Sequence, residues 1–258
     1  MSEENITTFH ICKNCESEFE GNYCNNCGQT KNIKRINLAY FLSEIKKIIT
    51  PVDRGFFFTI KELTVNPGKT INNYIAGKRI KLVPPFSYLA ILSIIHYFLE
   101  QFQNKKPILI EGLLGVTQAL KNRNSDIETN IGITSLMWLI NNYSYTVLLL
   151  IPIFSLASFV CFNKSKFNFF EHIIINSYIF GQITILFILM YPLNYLLSND
   201  NVEYLRIILT LIFTFYTFFQ IFRDLKKSSR IMNTVFTYVI FIMLFCVILT
   251  FFALLSFI

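Results

Sequence analysis

Residues 231–257 read IMNTVFTYVIFIMLFCVILTFFALLSF, with no Asp, Glu, Lys or Arg anywhere in the run. About 20 helical residues cross the ~30 Å hydrocarbon core of a bilayer, so this stretch is long enough to span one. Unpaired backbone groups are costly in lipid, and only helices and closed barrels avoid them. The alternating segments of a barrel are not present. This stretch is therefore read as a transmembrane helix, and the composition agrees with it. Of the 258 residues, 53% are hydrophobic and only 15% charged, whereas a soluble domain carries roughly a quarter charged residues.

Working outward, four further segments are long enough, or nearly so, to cross: 84–102, 145–163, 172–197 and 204–222. Together they predict an all-α polytopic membrane domain, 84–258, of about five transmembrane helices. Pro84 and Pro85 open the first segment, where proline suits a helix start. Pro192 lies near the far end of the third and predicts a kink or early exit there. The stretch 103–144 has amphipathic pieces and the single tryptophan, Trp138, beside Tyr143 and Tyr145. It reads as an external region or a re-entrant one.

Before Pro84 the chain is polar and basic. Residues 36–83 read as basic amphipathic juxtamembrane helices. The first is NLAYFLSEIKKII, 37–49, with Asn37 as N-cap and Leu38, Phe41, Leu42, Ile45, Ile48 and Ile49 at helical spacing. Pro51 stops it. FFFTIKELTV, 56–65, ends at Asn66-Pro67-Gly68, and KTINNYIA, 69–76, ends at Gly77. Their apolar faces suit either an anionic leaflet or the helical domain itself. Lys78, Arg79 and Lys81 form a basic cluster expected at the membrane surface.

Residues 1–35 form the remaining unit. Cys12, Cys15, Cys24 and Cys27 follow C-x2-C-x8-C-x2-C. Each pair suits a tight knuckle that turns two thiolates toward one ion, and two knuckles complete a tetrahedral site. The expected cofactor is a structural zinc ion in a small four-cysteine ribbon, with an iron–sulfur or regulatory site as the alternative. Gly28 suits the turn after Cys27, and Gly21 lets the hairpin close with Phe19 and Tyr23 as a tiny core. A closed four-thiolate site has no open position for a substrate and argues against zinc catalysis. Cys161 and Cys246 lie in apolar runs and read as small buried hydrophobes.

The net charge is +7, from 23 Lys+Arg against 16 Asp+Glu. The basic residues flank apolar runs instead of massing on the ribbon, which fits orientation charge and not nucleic-acid binding. Twelve precede residue 84. The 164–171 loop carries Lys164 and Lys166, and 223–230 carries Arg223, Lys226, Lys227 and Arg230. The 198–203 loop has only Asp200 and Glu203. Five spans with the N-terminus inside put these three basic regions on the cytoplasmic side and the C-terminus outside, with Lys105, Lys106, Lys121 and Arg123 of 103–144 mildly against that placement. The expected location is a bacterial inner membrane, with a reduced ribbon in the cytoplasm. The first 35 residues contain no signal-peptide h-region, so insertion is expected to rest on the internal apolar segments.

Other motifs carry less. NPGKT, 66–70, ends like a phosphate-binding loop but has Leu63 where that loop needs glycine. His96 and Glu100 share one face of the first segment, and ionisable groups at such depth are functional candidates. Glu171, His172, Asn176 and Gln182 give the third segment a polar stripe suited to helix–helix hydrogen bonds.

YCNNCGQ at 23–29, PGKTINNYIAGKR at 67–79, PFSYL at 85–89 and NFFEHIIINSYIF at 168–180 together resemble an uncharacterised bacterial family, domain of unknown function 3667. The resemblance implies an integral membrane protein fronted by a zinc ribbon, with the four cysteines as metal ligands. It supplies no activity or substrate. The residues themselves predict a non-enzymatic protein in which a membrane-tethered ribbon acts as an interaction, sensing or scaffold module. The expected partners are the bilayer and a protein docking on the ribbon, with homo-oligomers left open. Two alternatives stand beside this reading. One is a transporter or channel component for a small solute or ion; the other is an intramembrane lipid-acting enzyme.

Overall fold

The computed structural model describes residues 9–46, 55–102, 115, 143–196 and 199–255. A two-stranded antiparallel ribbon comes first, β1 (His10–Ile11) and β2 (Glu18–Phe19), with His10 opposite Phe19 and Ile11 opposite Glu18. Three short helices follow: α1 (Leu38–Lys46), α2 (Phe56–Val65) and α3 (Pro67–Ala76). The helical domain consists of α4 (Pro85–Gln101), α5 (Tyr143–Cys161), α6 (Phe169–Met190), α7 (Asn199–Ile221) and α8 (Lys227–Leu255). The stretch 103–142, with Trp138, and Pro51 lie outside the described residues, Gly115 apart.

Helix α6 is the axis of the molecule. It starts at a capping box: the Asn168 side chain accepts from the Glu171 backbone N–H, and the Glu171 carboxylate accepts from the Asn168 N–H. This satisfies two of the donors that any helix start leaves open. Its first half is buried all round, with Ile174, Ile175, Tyr178 and Ile179 at the centre of the core. Helices α2, α3, α4, α5 and α7 all pack against it. The helix ends at Met190 and continues as a 3-10 turn, Tyr191–Tyr195, as expected of Pro192, which has no N–H to carry an α-helix onward.

Lipid gives no hydrophobic drive between helices, so close packing and polar bonds must hold such a bundle. Both are present. The Tyr88 hydroxyl on α4 donates to Gln182 Oε1 on α6 at 2.7 Å, and Gln182 Nε2 donates to Thr64 on α2 at 2.7 Å. The Tyr178 hydroxyl donates to the carbonyl of Val83 at 2.7 Å. Phe154 on α5 sits edge-on to Tyr238 and Phe241 of α8, with ring centroids 5.5 and 5.2 Å away. The opposite face of α8, with Met232, Val235, Phe236, Val239, Ile242 and Met243, is exposed and apolar, which suits a surface that meets lipid.

Five crossings are not supported. Among the described residues three helices are long and apolar enough: Phe169–Asn194, Asn201–Ile221 and Lys227–Ile248. The predicted span 84–102 is the 17-residue α4, roughly 25 Å long at 1.5 Å per residue, with His96, Glu100 and Gln101 in its second half. The predicted span 145–163 falls on α5, whose described apolar stretch is only Leu149–Cys161, interrupted by Pro152. Both are packed against α6, while Ile94, Ile95 and Phe98 of α4 and Leu149, Leu156 and Val160 of α5 remain exposed.

The short helices also settle against protein. Leu63 of α2 and Ile71 and Tyr74 of α3 are fully buried in the common core. Leu38, Leu42, Phe57 and Phe58 remain on the outside.

Candidate metal centre and its tether to the helices

Two knuckles of the same backbone design present the cysteines. In the first, Cys12 N–H donates to the Ser17 carbonyl at 3.0 Å and Glu16 N–H to the Cys12 carbonyl at 2.9 Å. In the second, Cys24 N–H donates to Gln29 and Gly28 N–H to Cys24, both at 2.8 Å. The residue after each second cysteine is left-handed, with φ of 64° at Glu16 and 74° at Gly28. An antiparallel bridge between Tyr23 and Thr30 closes the second knuckle. Tyr23 itself is exposed, so the tiny core consists of Phe19 and the cysteines, without the tyrosine.

The four sulfurs converge. Cys12 Sγ lies 3.5 Å from Cys27 Sγ, and Cys15 Sγ lies 3.5 Å from Cys24 Sγ. All four lie within 4.8 Å of one another and can hold a metal ion. Thiolates about 2.3 Å from one ion have this mutual spacing. The donor set is all sulfur, which suits zinc or iron and disfavours magnesium or calcium. Hydrogen bonds from the Ser17 hydroxyl and backbone hold the Cys15 thiol down to about 6. Burial pushes Cys27 up to about 12. Cys15 is therefore ready as a thiolate at neutral pH, while Cys27 gives up its proton to an incoming cation, so binding strengthens as pH rises.

The centre is bolted to the helices at two places. At the first, Gln29 Nε2, beside the second knuckle, donates to the Gly77 carbonyl at 2.7 Å. Gly77 ends α3 with φ of 109°, a left-handed conformation that favours glycine, and a Cβ there would crowd the Ile33 side chain at 3.1 Å. Lys78 pairs with Glu16 of the first knuckle at 3.1 Å. Next along, the Arg79 guanidinium lies 4.5 Å from the Tyr40 ring centroid and 5.4 Å from that of Tyr74, with Nε donating to the Tyr74 carbonyl at 3.1 Å. The Tyr40 and Tyr74 hydroxyls bond each other at 2.7 Å. Burial holds Tyr74 well above the usual phenol range, so it stays neutral there. Of the expected surface cluster, then, Lys78 faces the ribbon, Arg79 is stacked on aromatic rings, and Lys81 is exposed.

At the second place, Arg35 reaches from the ribbon's exit to the start of α6. Its Nε and Nη2 donate to the two Glu171 oxygens at 2.9 and 3.0 Å, and Nη2 also reaches the Lys166 carbonyl. Asn168 Nδ2 donates to the Ile36 carbonyl at 2.9 Å. Glu171 is 3% exposed and belongs to the capping box, so one carboxylate serves the helix start and the ribbon together. Sequence reasoning missed this pair, although Asn168-x-x-Glu171 is a legible capping signature.

The polar stripe of α6 makes helix–helix bonds. His172 Nδ1 and the Ser158 hydroxyl are 2.9 Å apart, and Asn176 Nδ2 donates to Ser155 and Ser158 at 3.0 Å. All four side chains are fully buried, which makes the group a clamp between α5 and α6. His96 Nδ1 and Glu100 are 3.7 Å apart near the far end of α4. Arg206, paired with Glu203, lies over Phe187 and Tyr191, the same two rings that flank His96. Cys161 is half-buried and Cys246 exposed, so Cys246 belongs to the outer surface and not to the core.

Residues 53–97 match the model of a family described as a protein of unknown function, DUF3667. No curated protein and no solved structure matches the chain. The matched residues run from α2 through α3 and the Gly77–Arg79 junction into α4. They therefore contain the helix side of the first attachment.

Proposed function

We propose that this is a non-enzymatic membrane protein in which a zinc-loaded ribbon, held against the helix ends, recruits a protein partner or transmits its own state to the helices. The carrying observation is the double attachment of the ribbon, through Gln29 to Gly77 and through Arg35 to Glu171. A freely tethered module would need neither. Closed four-cysteine sites are structural sites, and that supports zinc as the ion. Lys166 pairs with Asp224 at 3.1 Å, which gathers the loops before α6 and after α7 on the ribbon's side. Lys164, Lys166, Arg223, Lys226 and Lys227 lie in or beside these loops, which supports a cytoplasmic ribbon and three crossings in a bacterial inner membrane.

Amide hydrogen exchange on the full chain in detergent, with and without a metal chelator, tests this reading. Removal of the ion is expected to speed exchange in the ribbon and also in the first turns of α6, near Asn168 to Asn176. Faster exchange in the ribbon alone would mean that the module does not report to the helices. Metal analysis with an optical spectrum decides between zinc and an iron–sulfur cluster.

A second reading, passage of a small solute or ion, is favoured by one observation: the grouping of His96, Glu100, Glu203 and Arg206 around two aromatic rings. It predicts proton or solute flux in proteoliposomes that falls severalfold or more in His96→Ala, given the usual functional role of such intramembrane groups. Equal flux in the wild type, the variant and empty vesicles would remove it.

A further inference from the structure

We propose that α2 is seated in the bilayer leaflet on the ribbon's side: one of its faces packs on the bundle, and the other is covered by lipid acyl chains. This rests on the reading that α6, α7 and α8 cross a bilayer. Thr59 and Leu63 of α2 are buried against the bundle. The other side carries Phe57, Phe58, Lys61 and Val65, which recur at helical spacing and are exposed. Phe57 is 83% exposed, so most of its ring meets no protein. A phenyl ring left in water forgoes the gain that burial brings.

Two observations say what covers this face. The first is continuity. The Tyr216 hydroxyl of α7 donates to the Val65 carbonyl at 3.4 Å. Tyr216 shares its stripe with Ile208 and Ile212, which are exposed and apolar on a helix long enough to cross. The far end of α2 therefore abuts the surface that α7 turns to lipid. The second is depth. Tyr216 lies five positions before Ile221, the end of that crossing, which is about 8 Å at 1.5 Å per residue. An in-plane amphipathic helix sinks its apolar face ~5–10 Å into a leaflet, and the two depths agree.

The charges fit the same occupant. Lys61 stands on the exposed face and Lys69 in the first turn of α3. Lys81 lies at the start of α2, where its carbonyl would be 2.9 Å from a Cβ on Gly55. All three lysines are exposed, while Glu62, the one acid of α2, is half-buried. A lysine stem lies along apolar surface as its ammonium reaches an anionic head group. Helix α2 leads directly into α3, whose end at Gly77 holds Gln29 of the ribbon. The seat of α2 in the leaflet therefore sets where the first attachment of the ribbon stands.

Tryptophan quenching in nanodiscs that contain phosphatidylglycerol tests this. Trp138→Phe removes the single native tryptophan from the full chain. Phe57→Trp and Val65→Trp on α2, Phe236→Trp on the exposed face of α8 and Tyr23→Trp on the ribbon are then introduced one at a time. The quenchers are phospholipid brominated on its acyl chains and aqueous iodide. Bromine is expected to lower the emission of Phe57→Trp, Val65→Trp and Phe236→Trp by about twofold or more, with iodide nearly without effect on them. Tyr23→Trp should show the reverse. Iodide quenching of Phe57→Trp and Val65→Trp, with bromine reaching only Phe236→Trp, would place the face in water and overturn the proposal. Silence of both quenchers on α2 would mean that protein, such as a second copy of the chain, covers the face, and would overturn it equally. A Phe236→Trp that bromine does not reach would strike down the crossings themselves, and the proposal with them. Both α2 positions are exposed, so either variant decides the matter if the other fails to fold.

Discussion

Replacing Cys24 with serine is expected to reduce the metal content of the purified chain from about one ion to near zero, and to unfold the ribbon while leaving the helical domain in place. Cys24 is 2% exposed and lies 3.5 Å from the sulfur of Cys15. A hydroxyl is a poor substitute for a thiolate toward a soft or borderline cation. Structural zinc contributes on the order of 10–16 kcal/mol to the folding of small modules that have little else. This ribbon has little else: two strands of two residues each, one buried phenylalanine, and a left-handed Glu16 that works against it. The helical core draws on none of these residues. Elemental analysis together with hydrogen exchange over residues 9–36 checks both halves of the expectation. A variant that keeps its metal, or one whose helices melt with its ribbon, would contradict the separation of the two cores.

Gly68→Ala is expected to destabilise the helical domain by about 3 kcal/mol, against what helix propensity alone would suggest. Alanine in place of glycine inside a helix ordinarily gains up to about 1 kcal/mol. Here α3 crosses α7 so closely that an added Cβ would lie 2.9 Å from the backbone carbon of Gln220 and closer still to its Cβ. Backbone cannot rotate away as a flexible side chain can. The Gly68 N–H also donates to Gln220 Oε1 at 3.0 Å, and separating the helices breaks that bond. Steric cost therefore outweighs propensity. Thermal unfolding in detergent, followed by circular dichroism, measures the difference. Equal or raised stability would show that the crossing is looser than described.

The parts of the fold that were legible are those encoded locally. The apolar run of α8 needs no partner to declare itself, and the Cys-x-x-Cys pairs bring their sulfurs together through turns only a few residues long. Asn37 is an N-cap that can be read from sequence and is found accepting from Tyr40 N–H at 3.0 Å. The two segments that are not supported as crossings show the limit of hydropathy. An apolar helix looks alike whether lipid or protein covers it, and α4 is covered on one side by α6 through Tyr88 and Leu92. The attachments of the ribbon were not legible because each joins residues far apart in the chain. Nothing near Gln29 announces Gly77, and nothing near Arg35 announces Glu171. Likewise nothing near His96 announces that α7 sets Arg206 beside the rings that flank it.

Arg35 and Glu171 are separated by 136 positions. At a synthesis rate of ~5–20 residues per second, the ribbon leaves the ribosome roughly 7 to 27 s before its anchor on α6 exists. The other attachment, from Gln29 to Gly77 at the end of α3, spans only 48 positions and can form well before α6 exists. An ion held by the four cysteines would thus be taken up before the ribbon is seated on the start of α6. Starving cells of the ion during synthesis should then do more harm than removing it from the finished protein.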